Sequence, residues 1–598
     1  MRCSALLGLV LLLGAGVAAA EVTLTLERPE PYELQVRGFE LTREAEIDIE
    51  AIGRWDPDNG GWIQRLFHGG DDEEEMLSVY AWILDAATRE PVWVMLGDDT
   101  DYVSSTLRKA ERSLRLDPGR YELYLYSGYG WLEEYEQRER SRASDRGGEE
   151  DKGWWDRLFS EHRFDADDLR EDLADCRVTL SVRGLERDNV RNFEVTGDLP
   201  GALIRHNRLG DSSFAFSGFE LDRPTALRVY ALIEQPRRDR EPSDYGWIVD
   251  ADTREIVWQP ARQQARAAGG SEKNRLLNET IRLEPGRYIV YAGTDDTHSY
   301  DRFNANPPHD PLNWGITLLP GDGFDPAAYR AYSPEQQLPV IEAIRLGNSE
   351  FVERPFVLDQ DGSVLVKALG EYDEHAEEFA DYAWIVDASS GKTVWAMSER
   401  NTMAAGGAEK NRLFDGRIEL AEGTYILYYV TDGTHAHGDW NSGTPFEAEA
   451  WGVRLWADPL AETVAVRPLA AEELGQSADL LVRLVRAGDD ERLRRSFTVS
   501  QSERVRIYAL GEGLSGEMYD YGYIVDKSSG RRIWEMTYDR TDHAGGHDKN
   551  RLVDEQLTLE PGSYEAIYVT DDTHSFAGWN GPRPRDPLSW GMTVRLVR

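Results

Sequence analysis

The chain has almost no cysteine. Of its two, Cys3 lies in the N-terminal run and only Cys176 remains for the body of the protein. No internal disulfide can form there, so each domain must stand on its own hydrophobic core. Long apolar runs are also missing. Beyond the N-terminal segment no stretch reaches the ~18 residues of a membrane-spanning helix. Positive charge is scarce: 67 lysines and arginines face 109 aspartates and glutamates, for a formal net charge of −42. A surface of that sign repels nucleic acid and anionic lipid. It favours solubility or cation binding, and it equally suits a salty milieu.

The first residues, MRCSALLGLVLLLGAGVAAAEV, join one cation (Arg2), an apolar run from Ala5 to Val17 and three small residues, Ala18–Ala20. That order predicts a secretory signal peptide over 1–20, cut before Glu21. Cys3 leaves with it, so a soluble secreted or periplasmic protein is expected.

What is present in quantity is repetition. The stretch 244–315, DYGWIVDADTREIVW…AGGSEKNRL…LEPGRYIVYAGTDDTHSYDRFN…WG, recurs without a gap at 381–452 and 520–591. A period this long marks tandem copies of a whole domain, since solenoid repeats are much shorter. The domains expected are 21–184, 190–320, 340–457 and 478–598. The first is divergent: it keeps Tyr80–Asp85, Trp93 and Leu116–Tyr121 but lacks the AGGxxKNR and TDxTH signals. It carries insertions at about 54–76 and 129–173, each with a Gly-Trp-x-x-Arg-Leu-Phe string (61–67 and 153–159), and a mixed-charge run at 133–152. Such aromatic strings dock a partner or tuck onto their own domain.

Within a unit the period is two. Val505–Leu510, Tyr382–Val386 and Tyr425–Val430 are β-branched and aromatic runs of strand length. Asp387–Gly391 and Asp526–Gly530 read as hairpin loops. Glu284-Pro285-Gly286 and Glu560-Pro561-Gly562 place Pro and Gly at the centre of a type II turn, where the glycine position needs φ > 0. Seven or eight short strands per unit with regular turns predict an all-β protein of four tandem antiparallel, jelly-roll-like β-sandwiches.

Phe219, Leu221, Val229, Ala231, Asp244, Ile248, Asp250, Leu283, Pro285, Gly286 and Tyr288 follow the order F-x-L…V-x-A, I-x-D, L-x-P-G-x-Y. In this the units resemble bacterial pre-peptidase C-terminal (PPC-like) sandwich modules. The resemblance implies a non-catalytic accessory module of an exported protein. The AGGxxKNR and TDxTH signals lie outside that pattern.

Those signals are the candidate site. The first group is Lys273, Asn274 and Arg275, then Lys410, Asn411 and Arg412, then Lys549, Asn550 and Arg551. The second is Asp295, Asp296, Thr297 and His298; Asp432, Thr434 and His435; Asp571, Asp572, Thr573 and His574. The third is an asparagine six residues past each histidine: Asn304, Asn441 and Asn580. Several readings are open. Asp, Thr and Asn in a loop make turns to their own backbone and pin it. A ligand site would use the Lys, Asn, Arg, His and Asn groups for a carboxylated sugar or peptide end. Calcium, which wants six to eight oxygens, would take Asp295, Asp296, Thr297 and their counterparts, although Gly433 replaces the second aspartate in the third unit. Zinc suits the repeats poorly, because only one histidine and no cysteine recurs from unit to unit. Catalysis by Lys, Asp and His is the remote reading, because three intact copies suit multivalent binding better than turnover. The tryptophans Trp247, Trp258, Trp384, Trp395 and Trp534 fall in strand patterns and read as core, or as a flat carbohydrate-stacking face. The function expected is a non-enzymatic binding or scaffold protein, with a calcium-dependent adhesion or carbohydrate-binding protein as the alternative. The partner is an extracellular or periplasmic protein or glycan.

Overall fold

The computed structural model describes residues 2–4, 22–55, 77–128, 166–183, 187–235, 242–261, 264–334, 338–374, 377–461, 464–470, 480–576 and 578–597. Both Gly-Trp-x-x-Arg-Leu-Phe strings and the run 133–152 lie outside these residues. So does the predicted leader, apart from Arg2–Ser4, a short strand parallel to Glu33–Gln35.

Sheets dominate, and apart from Arg2–Ser4 their strands pair antiparallel. The second and fourth sandwiches show the shared plan. In the second, one sheet runs in the order Ile204–Asn207, Gly315–Pro320, Thr225–Glu234, Asn274–Leu283, Arg266–Ala267. The facing sheet runs Ile256–Trp258, Tyr245–Asp250, Gly286–Gly293, Phe214–Leu221, Tyr329–Tyr332. The fourth repeats it with Leu480–Val485, Gly591–Leu596, Glu503–Leu514, Asn550–Leu559 and Asp542–His543 against Arg492–Val499, Gly562–Val569, Tyr521–Asp526 and Arg532–Glu535.

The alternation read from sequence is the cause of this layering. In Thr225–Glu234, Leu227 and Val229 are buried while Ala226 and Arg228, which alternate with them, are less so. Fully burying such a side chain contributes about 1.5–3 kcal/mol. Val505, Ile507 and Ala509 do the same in the fourth sandwich, against Ile524, Ala566 and Val594.

Residues at and between the expected domain boundaries are partly sheet. Val190–Phe193 pairs with Gly38–Leu41 and so closes the first sandwich, where the sequence had placed the start of the second. Tyr329–Tyr332 pairs with Gly218–Leu221, and Val466–Pro468 with Phe356–Leu358. Each covers an edge that would otherwise offer bare backbone groups. The first sandwich also carries the helix Ala166–Asp175. Leu169 and Leu173 bury one face of it, and Asp172 meets the Arg54 guanidinium at 2.8 Å.

By internal contacts the chain divides into two compact units. One is 1–336 with 404–411 and 440–448, and holds the first two sandwiches. The other is 337–403, 412–439 and 449–598, and ends with the fourth. Within each unit, a loop of one sandwich seats on the aromatic face of its predecessor. In the first, Trp82 Nε1 donates to His309 O (2.8 Å), and Asp310 takes the buried Arg89 guanidinium, which also meets Glu122 at 2.8 Å. In the second, Trp384 Nε1 donates to Arg585 O (2.6 Å), while Tyr428 and Tyr508 hydroxyls donate to the two oxygens of Asp586 at 2.9 and 3.2 Å. Trp247 is likewise covered, by the ring of Phe446. Trp247, Trp258, Trp384 and Trp534 are buried, as one of their two sequence readings held, while Trp395 is half-buried.

Candidate functional site

In the second and fourth sandwiches the recurring signals meet at one end, and the backbone explains why. The Ala-Gly-Gly turn needs two left-handed residues: Gly545 has φ 84° and Gly546 φ 68°, and Gly269, Gly270, Gly406 and Gly407 match them. A Cβ on Gly546 would stand 2.0 Å from Arg583 O. The turn therefore presses on the loop that follows the histidine, and only glycine permits the approach.

Asparagine clamps the two loops. Asn274 Nδ2 donates to Gly269 O and Asn306 O, both at 2.8 Å; Asn550 does so to Gly545 O and Pro582 O, and Asn411 to Gly406 O and Gly443 O. With its amide nitrogen so engaged, the asparagine oxygen faces the histidine. His298 Nε2 lies 2.7 Å from Asn274 Oδ1, and its Nδ1 lies 3.0 Å from Asn304 Oδ1. His574 repeats this with Asn550 (2.6 Å) and Asn580 (2.9 Å). Each histidine is fully buried with φ near +53°, and His298 and His574 stand edge-on to Trp314 and Trp590. Burial, with the Lys549 ammonium beside it, pulls His574 down to about 4, while the Asn580 contact acts the other way.

Lysine ties the ring to the acids. Lys273 Nζ donates to Asn304 and lies 2.9 Å from Glu234 Oε1; Lys549 Nζ donates to Asn580 and lies 2.8 Å from Glu512 Oε1; Lys410 Nζ donates to Asn441 at 2.6 Å. The arginine of the triplet goes elsewhere, because neighbours on a strand face opposite sides. Arg551 donates to Thr541 Oγ1 (2.8 Å) and Thr541 O (2.6 Å), and Arg412 to the same atoms of Thr402. Arg275 holds the same place in the second sandwich.

Sequence reasoning missed the centre of the arrangement. Asp244 accepts from Asp295 N (2.8 Å) and Trp314 Nε1 (3.1 Å). Asp381 accepts from Asp432 N and Trp451 Nε1, and Asp520 from Asp571 N and Trp590 Nε1. Glu234, Asp244 and Asp295 bring one oxygen each within 4.8 Å of one another. Glu371, Asp381, Asp432 and Glu512, Asp520, Asp571 do the same, so each acidic triad could hold a metal ion. Of the aspartates and threonines expected as metal ligands, Asp295, Asp432 and Asp571 belong to these clusters. Thr297, Thr434 and Thr573 instead donate their backbone N–H to that aspartate, and Asp296 and Asp572 are exposed beside it.

Burial raises the acids. Glu234 and Asp381 rise to about 7 and Asp520 to about 8, from an ordinary 3.8 for an aspartate; Asp244 rises well above its usual range. A raised folded-state pKa means that the folded chain holds more protons than the unfolded one between the two values. Stability from Asp520 is therefore full below about pH 4 and lost as pH rises through about 8. With chelator present, the melting temperature of the second unit is expected to fall from pH 5.5 to pH 8.5, and Asp520→Asn to flatten that slope.

Compared with known proteins, the chain matches no family model and no curated protein.

Proposed function

We propose that this is an exported, non-enzymatic scaffold or binding protein built from braced β-sandwiches. One observation supports it above the rest. The Lys, Asn, His and Asn side chains, with polar groups suited to catalysis or capture, direct those groups to one another in the second and fourth sandwiches. The loop they hold is the one that carries Asp310 or Asp586 to the preceding sandwich. Display of ligand by such a scaffold falls to the loop surfaces around the brace. The PPC-like likeness, an accessory module of an exported protein, agrees with this.

Calcium-dependent adhesion is the second reading, and the acidic triads favour it. Their donors are all oxygen, and calcium is the hard cation that such donors suit.

Export is tested by expressing the full chain with its N-terminal segment, fractionating the cells and sequencing the N-terminus. The expected result is protein in the periplasm or medium beginning at Glu21. Retention in the cytosol with the first 20 residues in place would sink the export half of the proposal.

A further inference from the structure

We infer, resting on the calcium reading of the repeats, that Glu234, Asp244 and Asp295, with Glu371, Asp381, Asp432 and Glu512, Asp520, Asp571, form three equivalent sites for one hard divalent cation each. The ligands come from three strand ends that the sandwich brings together. Glu234 closes Thr225–Glu234, Asp244 opens Tyr245–Asp250, and Asp295 follows Gly286–Gly293. Their mutual approach within 4.8 Å fits oxygens sharing one calcium at about 2.4 Å each.

Acidic clusters are common in a chain with this net charge, so a second observation is needed, and the glutamates supply it. Glu234 and Glu512 are 3% and 5% exposed, and each spends only Oε1 on its lysine. Their Oε2 atoms are buried with no hydrogen-bond partner among the described residues. A buried carboxylate oxygen left so has lost its water without a replacement, and all three copies carry the glutamate. A cation in the cluster is the partner those oxygens want.

Charge leads to the same place. In the second sandwich three carboxylates meet one ammonium, Lys273; in the fourth they meet Lys549. With all three carboxylates ionised, as an ion between them would hold them, two negative charges are left over in each, which a single divalent ion cancels. Asp295 and Asp571 are half-exposed, while their partners are buried. That gives the ion a route in from the loop side and a dry floor beneath it.

The test uses the full chain at pH 7.5, stripped with chelator and then equilibrated with calcium chloride, with magnesium chloride in parallel. Equilibrium dialysis reads the stoichiometry and scanning fluorimetry the melting temperature, which rises when an ion binds the folded state alone. Three tightly held calcium ions per chain and a rise of several degrees are expected. Glu512→Gln, which keeps an acceptor for Lys549, is expected to bring the count to two, and Glu234→Gln with Glu512→Gln to one. Circular dichroism checks that both variants fold. Calcium bound in equal amount by wild type and variants would keep the calcium reading but overturn these ligands, placing the ions on the acidic surface. Magnesium or manganese held at the triads without calcium would keep the site and overturn calcium. No ion retained and no change in melting would overturn the site altogether.

Discussion

His574→Ala is expected to lower the melting transition of the fourth sandwich by roughly 10 °C. The ring has two jobs. It joins Asn550 Oδ1 to Asn580 Oδ1, and it fills space between Trp579 and Trp590, at 5.1 and 5.8 Å. Without it the buried Asn550 oxygen loses its ring partner, at a cost of about 1–3 kcal/mol. The space beside the tryptophans adds a cavity cost of similar size. Together about 3–4 kcal/mol is at stake, and each kcal/mol moves a domain of this size by a few degrees. Alanine also sits badly at φ 54°, so His574→Gly separates backbone strain from lost contacts: it should recover only a small part. Calorimetry on the full chain is the measurement. Asp572→Ala, exposed and outside the network, should melt as the wild type does. A His574→Ala variant melting beside it would show that the histidine braces nothing.

The second large effect lies between the first and second sandwiches. Asp310→Ala is expected to destabilise the first unit by about 3–5 kcal/mol, the usual result of stranding one partner of a buried ion pair. Arg89 is 5% exposed at its side chain. It meets Asp310 through two nitrogens and Glu122 through a third. Asp310 also accepts from the Tyr230 hydroxyl at 2.8 Å and from Asn313 Nδ2 at 3.1 Å. Removal of the carboxylate leaves a buried guanidinium with one counter-charge and two donors unmet. Arg89→Met alone should be nearly as damaging, because it leaves two carboxylates facing each other. The pair together should cost much less than the sum, since neither charge is then stranded by the other's loss. Additive losses in that double-mutant cycle would mean that the pair is not a unit, and that the loop is held by its other contacts.

Much of the architecture was legible in the residues. Period-two runs such as Val505–Leu510 depend on local chemistry, and they fell where strands lie. The chain also bends at Glu284-Pro285-Gly286, but Gly286 opens a strand without the positive φ that the expected type II turn requires. The constellation could also be recognised, because Lys, Asn, Arg and His recur at fixed spacing. Its partition could not. That Asn550 clamps while Arg551 turns to Thr541 follows from strand alternation, which needed the strand's first residue to be known. The acidic triad was hidden for a different reason. Its glutamate precedes its aspartate by ten residues in two copies and by eight in the third, so no fixed motif announces it. The cluster exists only after two sheets have brought three strand ends together. The edge strands Val190–Phe193, Tyr329–Tyr332 and Val466–Pro468 are three or four residues long, too short to carry a period.

The seating of each loop on the sandwich before it also sets a schedule for synthesis. Trp82 and Tyr80 are covered by Pro307 and His309, residues made more than two hundred positions later. On the ribosome, at about 5–20 residues per second, the first sandwich waits tens of seconds with an aromatic ledge of Tyr80, Trp82 and Tyr124 open to solvent. Trp384 and Tyr428 wait in the same way for Arg585 and Asp586. The nascent chain is thus most in need of a holding chaperone when it has one finished domain and an unfinished next one, and least when the count of domains is complete.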